Sequence, residues 1–239
     1  MSLKAVVFDM YDTLVDNREF WWLQSFEEIC KNQKFQIAPR ILWENWIKLE
    51  KEFRIRRLNL QTLKATEPFE RYQEVWLECF KQSFSDLNIT GDPYEATELC
   101  IKHLGERPCF PEVLSVLDTI KDRFSLAILS NADRSFLLPL LTYHQIRYQF
   151  SVVLTSEDTM VYKPHPSSFR RVLDSLGVSP IEAVYIGDAQ EDDIWGGKLA
   201  GMNTIWLNRY NRTIQSFLPS PDAQIPDLTN VIEILERFE

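Results

Sequence analysis

Apolar residues in this chain follow two patterns, and the two occupy different stretches. Short, nearly continuous apolar runs rich in β-branched side chains fill residues 3–8, 125–129, 151–154, 183–186 and 204–207. Runs of that length without polar alternation predict strands buried on both faces, as in a parallel sheet. Helical spacing separates the last four. Between 112 and 121, Val113, Val116, Leu117 and Ile120 repeat at i, i+3, i+4, i+7. Residues 166–176 place Phe169, Val172, Leu173 and Leu176 in the same way, and Gly177 stops that helix. Strands alternating with helices predict an α/β fold, a Rossmann-like three-layer core with a parallel sheet.

Residues 16–105 read differently. They offer no convincing strand and four helical stretches. The clearest covers 70–84, with Tyr72, Val75, Trp76, Cys79 and Phe80 on one face. Another opens with Asp92 as N-cap, Pro93 at the first helical position and Glu95 completing a capping-box-like set, and it ends near Gly105. Trp21, Trp22, Trp43, Trp46 and Trp76 all lie in this stretch. The division expected is an α/β core of residues 1–15 and 106–239 with a helical domain, 16–105, inserted after the first strand.

Composition narrows the setting. With 45% hydrophobic and 26% charged residues the chain is ordinary globular material. A net charge of −9 disfavours nucleic acid and anionic membrane as partners. No apolar run reaches the roughly 18 residues a membrane span needs, and no signal pattern opens the chain. A cytoplasmic monomer or homodimer acting on a small-molecule substrate is expected. Cys30, Cys79, Cys100 and Cys109 form no CxxC pair and read as buried thiols, not as disulfides or zinc ligands.

In an open parallel sheet ligands bind beyond the carboxyl ends of the strands. Polar residues there form a coherent set: Asp9-Met10-Tyr11-Asp12-Thr13 after the first strand, Ser130-Asn131 after the second, Lys163 before Pro164 and a helix, and Gly187-Asp188 with Asp192-Asp193 after the fourth. In this order they resemble the four signature motifs of the haloacid dehalogenase-like superfamily. Asp9 to Thr13 resembles its DxxxT nucleophile loop, Ser130 its second motif, Lys163 its third, and Gly187 to Asp193 its acidic fourth. The inserted helices stand where that family carries a cap domain. The resemblance spans the whole chain.

It implies an enzyme in which Asp9 attacks an electrophilic centre and splits one hard displacement into two easier steps. Asp188 would bring a second carboxylate close to Asp9, and a Mg²⁺ ion would relieve their repulsion and screen an incoming phosphate. The expected ligands are Asp9, the Tyr11 carbonyl and Asp188. Either Asp192 or Asp193 supplies the last acid; the family spacing favours Asp193, and Asp192 would then cap the following helix. Lys163 would hold the nucleophile. The Ser130 hydroxyl and the backbone N–H groups from Met10 through Asp12 and Thr13 would bind substrate oxygens.

The site mixes two chemistries. Family phosphatases carry a second Asp two residues after the nucleophile; here that position is Tyr11, and Asp12 replaces the glycine that usually follows. Tyr11 and Ser130-Asn131 are what 2-haloacid dehalogenases of the family show. Those enzymes lack a metal and the acid at the position of Asp188, and they place a tyrosine where this chain has Phe169. Three readings follow: a Mg²⁺-dependent phosphate-ester hydrolase, a 2-haloacid dehalogenase-type hydrolase, or a phosphate-binding or interaction protein of low turnover.

Inside the helical domain, Arg54, Arg56 and Arg57 form a basic cluster that either meets an acidic leaving group or pairs with Glu50 and Glu52. Trp21 and Trp22 either line an apolar pocket or belong to the core. His103, His144 and His165 have no metal-ligand spacing.

Overall fold

The computed structural model describes residues 2–65 and 68–239. The chain divides into two compact units. One comprises Met1–Asp16, Pro108–Asn131 and His144–Glu239, the other Asn17–Arg107 and Ala132–Tyr143.

The chain opens with β1 (Ala5–Phe8), buried throughout. The second unit then begins with α1 (Glu19–Asn32) and α2 (Pro39–Arg56). Against expectation, this stretch holds a small antiparallel hairpin, β2 (Leu58–Asn59) on β3 (Lys64–Ala65). Two residues on each side are too few to show any period in a sequence. The helices α3 (Tyr72–Asp86) and α4 (Pro93–Leu104) complete the four that the pattern predicts. Asp92 caps α4, its carboxylate accepting from the N–H groups of Tyr94 and Glu95. Glu95 does not close the expected box. Instead the side-chain oxygen of Gln33 accepts from the Asp92 N–H at 2.7 Å.

Aromatic side chains fill this unit. Trp22, Phe26, Trp43, Trp46, Trp76 and Phe80 pack with neighbouring ring centroids 5.3–5.9 Å apart. Such pairs add to the burial term, and they place Trp22 in the core. The three arginines are tied down within the same unit: Arg54 to Glu50 at 2.6 Å, Arg56 to Glu70 at 2.7 Å, and Arg57 to the Tyr72 hydroxyl.

In the first unit α5 (Val113–Ile120) leads to β4 (Ser125–Ser130). The next helix, α6 (Arg134–Tyr143), belongs to the second unit. There Phe136 stacks on Trp76, with centroids 5.3 Å apart, and the Asp133 carboxylate accepts from the N–H groups of Tyr72 and Gln73 at the start of α3. The chain returns through β5 (Val152–Thr155), a single turn α7 (Ser156–Thr159), and α8 (Pro166–Leu176). Gly177 ends α8 in the left-handed conformation, φ 69°, a cap that glycine takes without steric cost. Then come β6 (Ala183–Gly187), a π-helical turn over Gln190–Trp195, α9 (Gly196–Leu199) and β7 (Asn203–Leu207). The strand β8 (Ala223–Ile225) and α10 (Val231–Leu235) follow.

All neighbours in the six-stranded sheet, ordered β5-β4-β1-β6-β7-β8, run parallel. The sheet thus gains one strand beyond the five expected, and β8 is only three residues long. Both alternating residue sets of β1, β4 and β6 are buried apart from Ser125, so both sheet faces are covered. One face packs Ala5, Val7, Ala127, Leu129 and Tyr185 under Phe169, Val172 and Leu173 of α8. The chain runs outward from β1 to β5, then crosses back to β6 on the other side of β1. This reversal makes the end of β1 the switch point where α/β sheets bind ligands.

Among the described residues no helix is long and apolar enough to cross a membrane. The four cysteines are free thiols. Burial pushes Cys79, Cys100 and Cys109 up to about 12 and raises Cys30 as well. The reactive species is the thiolate, so a disulfide reagent at pH 8 should modify the native chain slowly and all four thiols at once in denaturant. Rapid stoichiometric labelling of any one in the native protein would contradict this packing.

Candidate active site

Phe8 of β1 pairs with Ile128 of β4 and Ile186 of β6. This register delivers Asp9, Ser130 and Asp188 to the same edge of the sheet. The Asp9 carboxylate accepts at Oδ1 from the Ser130 hydroxyl at 3.1 Å and from the Lys163 ammonium at 2.8 Å. Its Oδ2 takes no part in this network.

Lys163 is 2% exposed. Besides Asp9, its ammonium donates to Asp193 Oδ1 at 2.6 Å and to the Tyr185 hydroxyl at 2.7 Å. Burial opposes its charge, but the carboxylates of Asp193 and Asp9 outweigh burial and hold it above the ordinary lysine range. Asn131 fixes the backbone at Lys163. Its Oδ1 accepts from the Lys163 N–H at 2.7 Å, and its Nδ2 donates to the Lys163 carbonyl at 3.2 Å and to Asp192 at 3.0 Å.

Of the two adjacent acids, Asp193 joins the cluster. Ligand oxygens of Asp9, Asp188 and Asp193 all lie within 4.8 Å of one another. Asp192 does not cap a helix, because Ala189 stands at the start of the π-helical turn; its carboxylate accepts from Asn131. Asp193 is engaged at both oxygens, Oδ1 by Lys163 and Tyr185, Oδ2 by the Ala189 N–H at 2.9 Å. Gly187 makes that approach possible, since a Cβ there would overlap the Asp193 carboxylate. Burial pushes Asp193 up to about 6 against the pull of Lys163. Burial, then the charges of Asp193, Asp12 and Asp9, hold Asp188 well above the usual carboxylate range, opposed by a hydrogen bond from Arg212.

The remaining loop residues take distinct places. Met10 is buried, and its carbonyl accepts from the N–H groups of Leu14 and Val15. The bridge between Tyr11 and Val15 uses the Met10 carbonyl and the Asp12 N–H, on either side of Tyr11. Asp12 sits at φ 61°, the left-handed region. That explains why glycine is the common residue at this position and why aspartate, tolerant of that region, can replace it. Its carboxylate accepts from the Tyr210 hydroxyl at 3.1 Å. Thr13 is buried and its hydroxyl has no partner among the described residues.

Two residues escape the sequence reading. Tyr185 looks like one more core position of β6, yet its hydroxyl lies among Lys163, Asp193 and the Leu129 carbonyl, the last at 2.7 Å. Phe169 packs edge-on against the Tyr185 ring, with centroids 4.9 Å apart. A phenol therefore does stand by the lysine, supplied from β6 and not from α8. The second residue is Arg212, in a segment without periodicity, which donates to Asp188 Oδ2 at 2.7 Å.

A buried lysine thus holds one strand-end aspartate, with two further acids beside it. Residues 6–207 match the family model of haloacid dehalogenase-like hydrolases, and the chain belongs to that family. Among curated proteins it is similar to phosphoserine phosphatase of Thermus thermophilus, 34% identical over 145 residues, 59% of this chain and 58% of that one. It is also similar to haloacetate dehalogenase H-2 of Moraxella sp., 23% identical over 98% of both chains. Among solved structures, an L-2-haloacid dehalogenase superposes with TM-score 0.80 at 21% identity, over 99% of this chain and 100% of that one. A putative HAD-hydrolase from Bacillus subtilis bound to magnesium gives 0.81 at 20%, with the same coverage. These two superpositions speak for the fold alone.

Replacing Lys163 with Met would leave two buried carboxylates facing each other. Removing one partner of a buried pair costs about 3–5 kcal/mol, and urea unfolding of Lys163→Met at pH 7 should show a loss of that order. A carboxyl whose folded pKa is raised loses stability as pH climbs through that pKa and regains it below. Lys163 holds the Asp193 pKa down against burial, so its loss raises that pKa further and predicts a deficit that narrows from pH 7 toward pH 5. A Lys163→Met protein as stable as the parent at pH 7 would show that the network is not paired as described.

Proposed function

We propose that this chain hydrolyses phosphate esters of small molecules, with Mg²⁺ as cofactor and Asp9 as covalent nucleophile. The observation that carries this reading is the convergence of Asp9, Asp188 and Asp193 within 4.8 Å. The donor set consists of hard oxygens, which suits Mg²⁺. Mutual repulsion among buried carboxylates, expressed in the raised pKa values of Asp188 and Asp193, is relieved by a cation. A hydrolase working without metal gains nothing from that repulsion. The similarity to phosphoserine phosphatase adds support, although the match spans 58% of that protein.

In this reading Asp9, the Tyr11 carbonyl and Asp188 hold the ion, which when bound neutralises charge on the phosphoryl group. Asp193, which holds Lys163 through Oδ1 and the Ala189 N–H through Oδ2, completes the acidic set, touching the ion directly or through water. Lys163 and Ser130 fix Oδ1 of Asp9, leaving Oδ2 to attack phosphorus. The Asp9 O–P bond forms as the ester P–O bond breaks, and the leaving alkoxide takes a proton. Water then attacks phosphorus, releasing phosphate and restoring Asp9. Tyr11 supplies a phenol that can hydrogen-bond to the leaving oxygen, but a neutral phenol is a poorer base than a carboxylate for that water. Slow dephosphorylation is expected.

A second reading rests on Tyr11 and Ser130-Asn131 and on the full-length similarity to haloacetate dehalogenase H-2. There Asp9 displaces halide from carbon and water cleaves the resulting ester. A panel of phosphate esters and 2-haloacids, with Mg²⁺ and with chelator, separates the two. Expected is phosphate release that needs Mg²⁺, raised about 10-fold or more in Tyr11→Asp, the usual scale of a general acid/base. Halide release in chelator with no gain from Tyr11→Asp would move the assignment to the dehalogenase. No turnover by either protein would leave a phosphate-binding role.

A further inference from the structure

The segment joining β7 to β8 folds back over both site loops. Arg209 donates to the Thr13 carbonyl at 2.9 Å and pairs with Glu112 at 2.7 Å, and Tyr210 donates to Asp12. Gln190 of the acidic loop donates to the Thr213 carbonyl and accepts from the Gln215 N–H. Between these anchors Asn208 clamps the backbone at Arg212, accepting from its N–H at 2.7 Å and donating to its carbonyl at 2.9 Å. The Arg212 side chain is thereby aimed at Asp188. One guanidinium nitrogen donates to Asp188 Oδ2 at 2.7 Å and to the Asp188 carbonyl at 3.0 Å.

Asp9, Asp188 and Asp193 bring three negative charges when ionised, and Asp12 stands on the neighbouring loop. Lys163 pairs with Asp9 and with Asp193, but no hydrogen bond links it to Asp188. Asp188 has Arg212. Among the three acids, then, the lysine and the arginine leave one net negative charge; without Arg212 there would be two, the complement of a divalent ion. A guanidinium stays charged at every working pH. The Arg212 side chain is 44% exposed against 14% for Asp188, so it can withdraw into water without opening the core.

We propose that Arg212 is a built-in counter-cation of Asp188 that competes with the divalent ion and so sets the metal affinity of the site. The inference rests on the reading of Asp9 and Asp188 as metal ligands. Competition does not require both cations to use the same oxygen. A fixed positive charge on that carboxylate weakens the attraction any second cation meets there. The metal-free site is correspondingly held together by the arginine.

Calorimetric titration of the full chain with MgCl₂ and MnCl₂ tests this in four proteins: the parent, Arg212→Gln, Arg212→Lys and Asp188→Ala. Arg212→Gln should bind either metal about tenfold tighter or more, given a unit charge removed within a few ångströms. Arg212→Lys, which keeps the charge, should stay near the parent, and Asp188→Ala should lose binding. Thermal melts give a readout apart from affinity. In EDTA, Arg212→Gln should melt below the parent, and excess Mg²⁺ should reverse that order. Binding seen in Arg212→Gln but not in the parent would support the proposal in its strongest form. Equal or weaker binding by Arg212→Gln, with Asp188→Ala still deficient, would overturn the competition and leave the metal site standing. Absence of binding in all four proteins, or unaltered affinity in Asp188→Ala, would remove the metal site and the inference with it.

Discussion

The ammonium of Lys163 lies out of water with Asp9, Asp193 and the Tyr185 hydroxyl as its acceptors. Removing such a charge from water is expensive, and only close geometry with every donor satisfied offsets it. Much of the site serves that requirement. Asn131 fixes the lysine backbone, Gly187 lets Asp193 come close to the strand, and the Ala189 N–H holds the far oxygen of Asp193. The hydrogen bonds that satisfy the lysine also fix one oxygen of Asp9. In the proposed chemistry, a nucleophile held in this way is preorganised, and preorganisation lowers barriers without cost at the moment of reaction.

Asp188 stands apart from that arrangement. It belongs to the same acidic cluster but takes its partner from the β7–β8 segment. The two cations thus differ in setting: the lysine is buried and the arginine half-exposed. In the proposed chemistry this difference leaves Asp188 as the adjustable member of the site.

The sequence and the structure agree most closely where a side chain directly follows an element with a strong signal. Asp9, Ser130 and Asp188 close apolar runs that read plainly as strands, and Lys163 precedes a helix marked by Pro166 and Gly177. Tyr185 was not legible, because in a strand buried on both faces a tyrosine looks like any core residue until its hydroxyl finds partners. Arg212 lies where no period exists to anchor a reading. The hairpin and β8 escaped because two or three residues show no alternation. The affiliation of α6 is a matter of packing over long separation: Phe136 meets Trp76 and Asp133 meets the start of α3, which local periodicity does not encode. The π-helical turn at Gln190–Trp195 is likewise too short to carry a periodic signal.

In the proposed reaction the phosphoryl group is carried by Asp9. Rapid acid quench of the chain turning over an aryl phosphate with Mg²⁺, followed by peptide mass spectrometry, addresses that claim directly. Expected is one phosphoryl mass increment on the peptide containing Asp9, absent in chelator and absent in Asp9→Asn. A peptide without increment while phosphate is released, or an increment on any other residue, would contradict it.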